Sequence, residues 1–305
     1  MPEHRLSDWL LLATLVALWG SSFLLTKIAL ATLSPSIIVA GRLALGAVVL
    51  LALLAGARKR LPAPGRLWMF LLAIAITGNC LPFYLISWGQ QRIDSGLAGI
   101  LMAVMPLATI SLAHFLVPGE RMNANKTAGF VLGFIGIVVL MGPDALLDAA
   151  GASGKLIAEL AVLSGALCYA VTTIITRRRP PGDALGSSAG VLLIAGLIMS
   201  PIVFGAEPRA ITEISVASAL ALCALGVFST GAATIVYFKL IESAGPSFLS
   251  QINYLIPLWA TFAGALVLNE KLDWHHMVAL AIILAGIALA QWRPRRGPAQ
   301  QGAAG

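Results

Sequence analysis

Charge is what this chain has least of. Asp, Glu, Lys and Arg make up 11% of its 305 residues, hydrophobic side chains make up 59%, and the mean hydropathy is +0.91. A soluble domain of this length could not cover so much apolar surface with so few charges. The composition therefore excludes a water-soluble globular protein and puts the chain in a bilayer. Acid is scarcer than base, 13 residues against 20. No Asp or Glu falls near the middle of an apolar run; Glu159 comes nearest and is expected close to the outer surface. That absence argues against a proton-exchanging cation carrier, which needs a buried carboxylate. Cys80, Cys168 and Cys223 all lie in apolar runs without metal-ligand spacing, so they read as small buried hydrophobes and no disulfide framework is expected. His275 and His276 are adjacent, which should turn them to different helix faces, and no metal site is expected there.

What the chain does have is ten apolar stretches, near 9–31, 35–57, 67–88, 96–117, 124–143, 154–176, 184–206, 215–238, 247–268 and 274–292. Each is close to the ~20 residues a helix needs to cross the hydrocarbon core. Ala29-Leu30-Ala31 has the look of a leader-cleavage site, but the first run is longer than a leader core and carries Lys27, so a retained span is expected. Placing the N-terminus inside puts Arg5, Arg58, Lys59, Arg60, Arg66, Arg121, Lys126, Arg177, Arg178, Arg179, Lys239, Arg293, Arg295 and Arg296 on the cytoplasmic side. The other side holds Lys27, Arg92, Lys155, Arg209 and Lys271, and Arg42 lies within a stretch. This bias orients both termini to the cytoplasm. The net charge of +7 is thus an orientation signal rather than a nucleic-acid footprint.

The chain also repeats itself. SGLAGILMAVMPL around Pro106 matches PSFLSQINYLIPL around Pro257 at an offset of 151 residues, which brings Glu120 within one position of Glu270. Ala17-Leu18-Trp19 matches Ala166-Leu167-Cys168, and Gly136-Ile137 matches Gly286-Ile287. The repeating unit is five spans, an odd number, so the second copy should enter the membrane from the opposite side. Many secondary transporters are built as such inverted repeats around a shared site.

These residues resemble the EamA family of the drug/metabolite transporter superfamily. The likeness is carried by Trp19-Gly20-Ser21-Ser22-Phe23, Arg42, Pro106 with Gly119-Glu120, Pro257 with Glu270, and the glycine-marked fifth and tenth stretches. The second half departs from the pattern at Cys168, where the first has Trp19, and at Asn269, where the first has Gly119. The resemblance implies an all-α integral membrane protein of ten helices in two inverted five-helix repeats, residues 1–148 and 149–293, with a disordered cytoplasmic tail at 294–305. It implies a metabolite or drug exporter, most often of amino acids, in the bacterial inner membrane. No cofactor, nucleic acid or obligatory oligomer is implied; the partners are a small-molecule substrate and the lipid bilayer.

A substrate site can be placed from the residues themselves. Proline inside a membrane helix frees a backbone carbonyl, which must then face protein or a wet cavity. Pro106 and Pro257 lie about halfway along their stretches, and Pro82 and Pro201 interrupt two others; Pro82, Pro106 and Pro257 are the candidate bends. Asn79, Phe83, Ile86 and Gln90 share one helix face, with Tyr84 and Trp88 on the neighbouring one. Asn79 either lines a cavity or glues two helices together. The candidate cavity set is Trp19, Ser22, Asn79, Phe83, Tyr84, Met102, Tyr169, Thr172, Tyr237, Gln251 and Asn253, with further hydroxyls offered by Ser229, Thr230 and Thr234. Amides, hydroxyls and aromatic faces of this kind suit a zwitterion, although hydroxyls bonded back to their own helices would look the same. Arg42 is a possible carboxylate partner through its planar fork, or else a snorkelling or helix-pinning cation. The small-residue faces of the fifth and tenth stretches read as packing.

Three rivals remain in view. A multidrug or cationic-compound efflux carrier shares the architecture. An intramembrane enzyme could use Gly186-Ser187-Ser188-Ala189-Gly190 with His114, but that motif needs a strand-turn-helix elbow and here opens an apolar helix. A channel would want a ring of charges or carbonyls.

Overall fold

The computed structural model describes residues 5–147, 154–204, 214–271 and 273–291; the tail at 294–305 and Arg209 lie outside these. Among the described residues the regular structure is helical: α1 Leu6–Ala29, α2 Pro35–Gly56, α3 Leu67–Ala75, α4 Leu81–Gly89, α5 Ser95–Met102, α6 Met105–Leu116, α7 Ala124–Leu147, α8 Lys155–Arg178, α9 Ala184–Phe204, α10 Val216–Ala224, α11 Ala233–Leu249, α12 Ile252–Leu268 and α13 Trp274–Gln291. Wider π-type turns join α3 to α4 over Ile76–Cys80 and α10 to α11 over Leu225–Ala232, so each pair forms one span. Among the described residues nine spans are long and apolar enough to cross a membrane, and α12 is a shorter apolar tenth.

Local chemistry sets the helix starts. The Ser34 and Ser215 hydroxyls accept from Ile37 N and Ser218 N at the heads of α2 and α10. Pro35 opens α2, where its missing N–H costs nothing. The candidate proline bends stand in different settings. Pro106 stands in the first turn of α6, after an interruption at Ala103–Val104. Pro82 stands in the first turn of α4, just past a π-type turn. Pro257 lies inside an uninterrupted α12. At Pro201 the Ser200 hydroxyl donates to the freed carbonyl of Leu197 (2.8 Å). The ninth stretch, 247–268, with its candidate bend at Pro257, is instead interrupted at Ser250–Gln251. Upstream, Gly245 turns at φ 79°, which a side chain would resist.

α7 and α13 pack as a close pair. A Cβ at Gly129 would strike the Gly286 carbonyl, and one at Gly136 would meet Ile283, so small residues set this approach. Elsewhere α2 packs on α9, α4 on α8, and α1 and α5 on α12. Contacts sort the loops into two ends. At one end Lys59 pairs with Asp183 (2.5 Å), Arg177 pairs with Glu120 (3.2 Å), and Arg178 donates to the Leu116 carbonyl. At the opposite, far end Lys27 reaches the loop after α4, and Glu270 reaches the start of α5.

A cavity between the helices as the candidate site

One cavity of about 540 Å³ opens among α1, α2, α4, α5, α8, α11 and α12. Neither α7 nor α13 lines it, so the glycine-faced pair stands apart as scaffold. The wall carries Trp19, Ser22, Arg42, Asn79, Phe83, Met102, Tyr169, Thr172, Tyr237, Asn253 and Pro257, all singled out in the sequence. It also carries Thr26, Ser87, Ser229 and Ser250.

Two of the candidate cavity residues are corrected. Tyr84 lies on the outer surface, 38% exposed, in a shallow apolar groove with Trp88, Ile157 and Leu160. One residue along a helix is a rotation of about 100°, so Phe83 facing the cavity turns Tyr84 outward. Gln251 is absent from the wall: it stands in the turn before α12, where its carbonyl accepts from Tyr254 N and Leu255 N. Gln90, on the Asn79 face by spacing, does not reach the wall: it is wholly buried and donates to Phe23 O (2.9 Å). Glu159, in the second turn of α8, is 1% exposed with neither carboxylate oxygen hydrogen-bonded. The rings of His275 and His276 lie 4.2 Å apart rather than facing away. With Asp273 they bring three ligand atoms within 4.8 Å of one another, outside the cavity.

Arg42 is the wall's one cation among the described residues. The π-type turn over Leu225–Ala232 and the Phe83 ring build its seat. A Cβ at Gly46 would meet Thr230, and one at Gly226 would meet Leu45, so glycines let α2 approach the Leu225–Ala232 turn. Arg42 Nε donates to Thr230 Oγ1 (2.9 Å), which itself donates five residues back to Leu225 O (2.9 Å). The guanidinium stacks 3.8 Å above the centre of the Phe83 ring, a favourable cation–π placement. Arg42 is 9% exposed, and no ion pair to an acid holds it among the described residues. Beside Thr230, the Ser229 hydroxyl is buried and without a hydrogen-bond partner. Most other hydroxyls donate to their own helix: Ser22 to Trp19 O, Thr172 to Cys168 O, Thr173 to Tyr169 O and Thr234 to Thr230 O. Such groups keep lone pairs to offer the cavity. Trp19 and Tyr237 stack 5.6 Å apart on one wall.

Burial grades along the cavity. Phe23, Thr26, Ile86 and Ser87, toward the far end, are buried, whereas Trp19, Tyr237, Ser250 and Asn253 are half-buried and Pro246 is exposed. The far end is laced shut. Lys27 Nζ donates to Gln90 O (2.8 Å) and Ile93 O (2.7 Å), and Glu270 accepts from Ser95 N, Ser95 Oγ and Gly96 N at 2.8–3.0 Å. The enzyme-like motif gives no elbow: Gly186 N donates to Asp183 Oδ2 at the start of α9, and His114 Nδ1 accepts from Met122 N.

Several known proteins are similar to this chain. A transporter of Bacillus subtilis, YoaV, whose role is uncharacterized, is 26% identical over 88% of this chain and 91% of its own. Protein PagO of Salmonella typhimurium is 29% identical over 89% and 88%. An S-adenosylmethionine/S-adenosylhomocysteine transporter of Chlamydia trachomatis is 27% identical over 89% and 85%. A solved crystal structure, 22% identical, superposes with a TM-score of 0.65 over 93% of this chain and 97% of that one, which shows the shared fold. The EamA-like transporter family matches residues 7–142 and 156–292, the lengths that hold the cavity-lining helices. A multi-pass helical protein with a cavity between its helices and these matches is a membrane transporter, and the chain belongs to the EamA-like transporter family.

Proposed function

We propose that the protein exports small carboxylate-bearing metabolites, amino acids first and aromatic ones among them, by alternating access around this cavity. Two five-helix halves, residues 1–148 and 149–293, rock against each other with compliant points at Pro82, Pro106 and Pro257. The chain lies in a bacterial inner membrane with both termini cytoplasmic. On that orientation the burial gradient describes a carrier open to the cytoplasm and shut at the far end. The observation that carries the reading is Arg42: a buried guanidinium on the cavity wall, with no acidic partner among the described residues, calls for an anion from outside. Asn79 and Asn253 offer amides, the hydroxyl lone pairs suit an ammonium, and Trp19, Phe83 and Tyr237 supply apolar walls.

Efflux from proteoliposomes against a panel of amino acids tests this. Saturable flux is expected, falling about tenfold or more in Arg42→Gln and severalfold in Asn79→Ala and Asn253→Ala, since hydrogen bonds to charged groups are worth ~1.5–3 kcal/mol. No acidic residue lines the cavity, so an imposed pH gradient should leave the flux unchanged. Multidrug efflux is the second reading. Transport of organic cations, undiminished by Arg42→Gln, would favour it.

A further inference from the structure

The cavity wall holds two features that a zwitterion alone does not explain. The first is charge balance: Arg42 lines the wall, and among the described residues no Asp or Glu does. A bound carboxylate therefore meets a full opposite charge, whereas a bound ammonium meets only lone pairs and aromatic faces. In a low-dielectric cavity the first contact is worth far more than the second. The second feature is Ser229. Its hydroxyl is 2% exposed, lines the cavity and has no hydrogen-bond partner, next to the Thr230 that holds Arg42. A buried donor without an acceptor is costly and rare in a settled fold. Ser229 and Thr230 both stand in the wider turn over Leu225–Ala232 and both line this wall. Thr230 is committed to Arg42 and to Leu225 O, which leaves the Ser229 proton for a ligand.

From these we infer that Arg42 and Ser229 form one anion seat, so that the site selects its substrates on the carboxylate alone and the ammonium is dispensable. The substrate class then widens from amino acids to monocarboxylates of the same side-chain size and narrows against amines. Arg42 supplies charge and a planar pair of donors; Ser229 supplies the proton that completes the carboxylate's partners. This rests on the carboxylate reading of the cavity given above.

The test is binding to the purified full-length chain, read as thermal stabilisation during a titration. The probes are matched trios: phenylalanine with 3-phenylpropionate and phenethylamine, and leucine with 4-methylpentanoate and isopentylamine. In each trio the amino acid and the deaminated acid should stabilise the protein to a similar degree, and the amine should not. Ser229→Ala, a small change in a helical wall, should weaken both carboxylates by about tenfold, the scale of one hydrogen bond to a charged group. Stabilisation by the amine equal to that by the acid overturns the inference, as does a Ser229→Ala affinity equal to wild type. Stabilisation by amino acids but not by their deaminated acids overturns this inference and leaves the proposed function standing. No response to any carboxylate brings down both.

Discussion

Two glutamates that the internal similarity of the sequence pairs, Glu270 and Glu120, do different work at opposite ends of the molecule. Glu270 gives both oxygens to the head of α5, taking Ser95 N, Ser95 Oγ and Gly96 N, all on buried residues. Glu120 faces Arg177 and Lys126 at distances of 3.2 and 3.4 Å, with its side chain 36% exposed. One carboxylate thus caps a helix and closes a seam; the other sits among solvated cations. A helix N-terminus gathers unsatisfied N–H groups and partial positive charge, so an acid there stabilises both the cap and whatever element brings it. Glu270 is brought by the loop between α12 and α13, so its cap also ties that loop to α5. The shut end is held by buried backbone donors. The open end is held by exposed ion pairs, which are individually weak.

The largest effect should come from breaking the far seam. Glu270→Ala strands three donors, each worth ~1–3 kcal/mol when buried and unpaired. The loss falls on the shut conformation, so the equilibrium should move toward an open far end by about two orders of magnitude or more, since ~1.4 kcal/mol is a factor of ten. A membrane-impermeant thiol reagent applied at the far side to a Ser87→Cys reporter measures this. Ser87 is 4% exposed here, so slow labelling should become fast in the Glu270→Ala background. Equal rates in both backgrounds would mean that the seam does not gate the cavity.

The ten spans were legible because apolar length is a local property, and the cavity wall largely so because polar side chains are conspicuous in apolar runs. What escaped reading depends on backbone register. Nothing in ITGNC or LGVFSTGA announces a wider turn, yet those turns set which neighbours of Asn79 and Ser229 face inward. Tyr84 was misassigned because residue type suggested a wall and only the rotation from Phe83 decides it. Gln251 was misassigned because hydropathy cannot see the break at Ser250. The burial of Gln90 and Glu159 cannot be read from distance along the chain, because tertiary packing of the loop after α4 against α8 buries both. There, a Cβ at Gly89 would meet the Ala158 carbonyl at 2.7 Å.

Glu159 sharpens the same contrast with an intermediate effect of opposite sign. Its oxygens are buried without donors, and Lys155 Nζ stands 3.9 Å from one of them. Replacing a poorly compensated buried charge by an apolar side chain of similar volume is often neutral or stabilising by ~1–4 kcal/mol. Glu159→Met should therefore raise the thermal midpoint at neutral pH, in contrast to the losses expected from Glu270→Ala. A fall in the midpoint would show that Glu159 contributes to the shut state as a charge.

The smallest effect belongs to Glu120, and pH separates it from the rest. Arg177 first, and Lys126 second, hydrogen-bond its carboxylate and hold the group below the ordinary carboxylate range. A carboxyl lowered in the folded state contributes stability above its unfolded value, near ~4.3, and loses that contribution as the pH falls through the lower folded value. Exposed pairs of this kind are worth about 0–1 kcal/mol. Glu120→Gln should therefore shift the midpoint little at neutral pH, and the gap between variant and wild type should close on acidification below the unfolded value. High salt should close the same gap at neutral pH, because solvent-exposed charges are screened, whereas the buried cap at Glu270 should keep its effect in salt. If salt weakened both glutamates equally, the far seam would be as solvated as the open end, and the difference between the two ends would lie elsewhere than in burial.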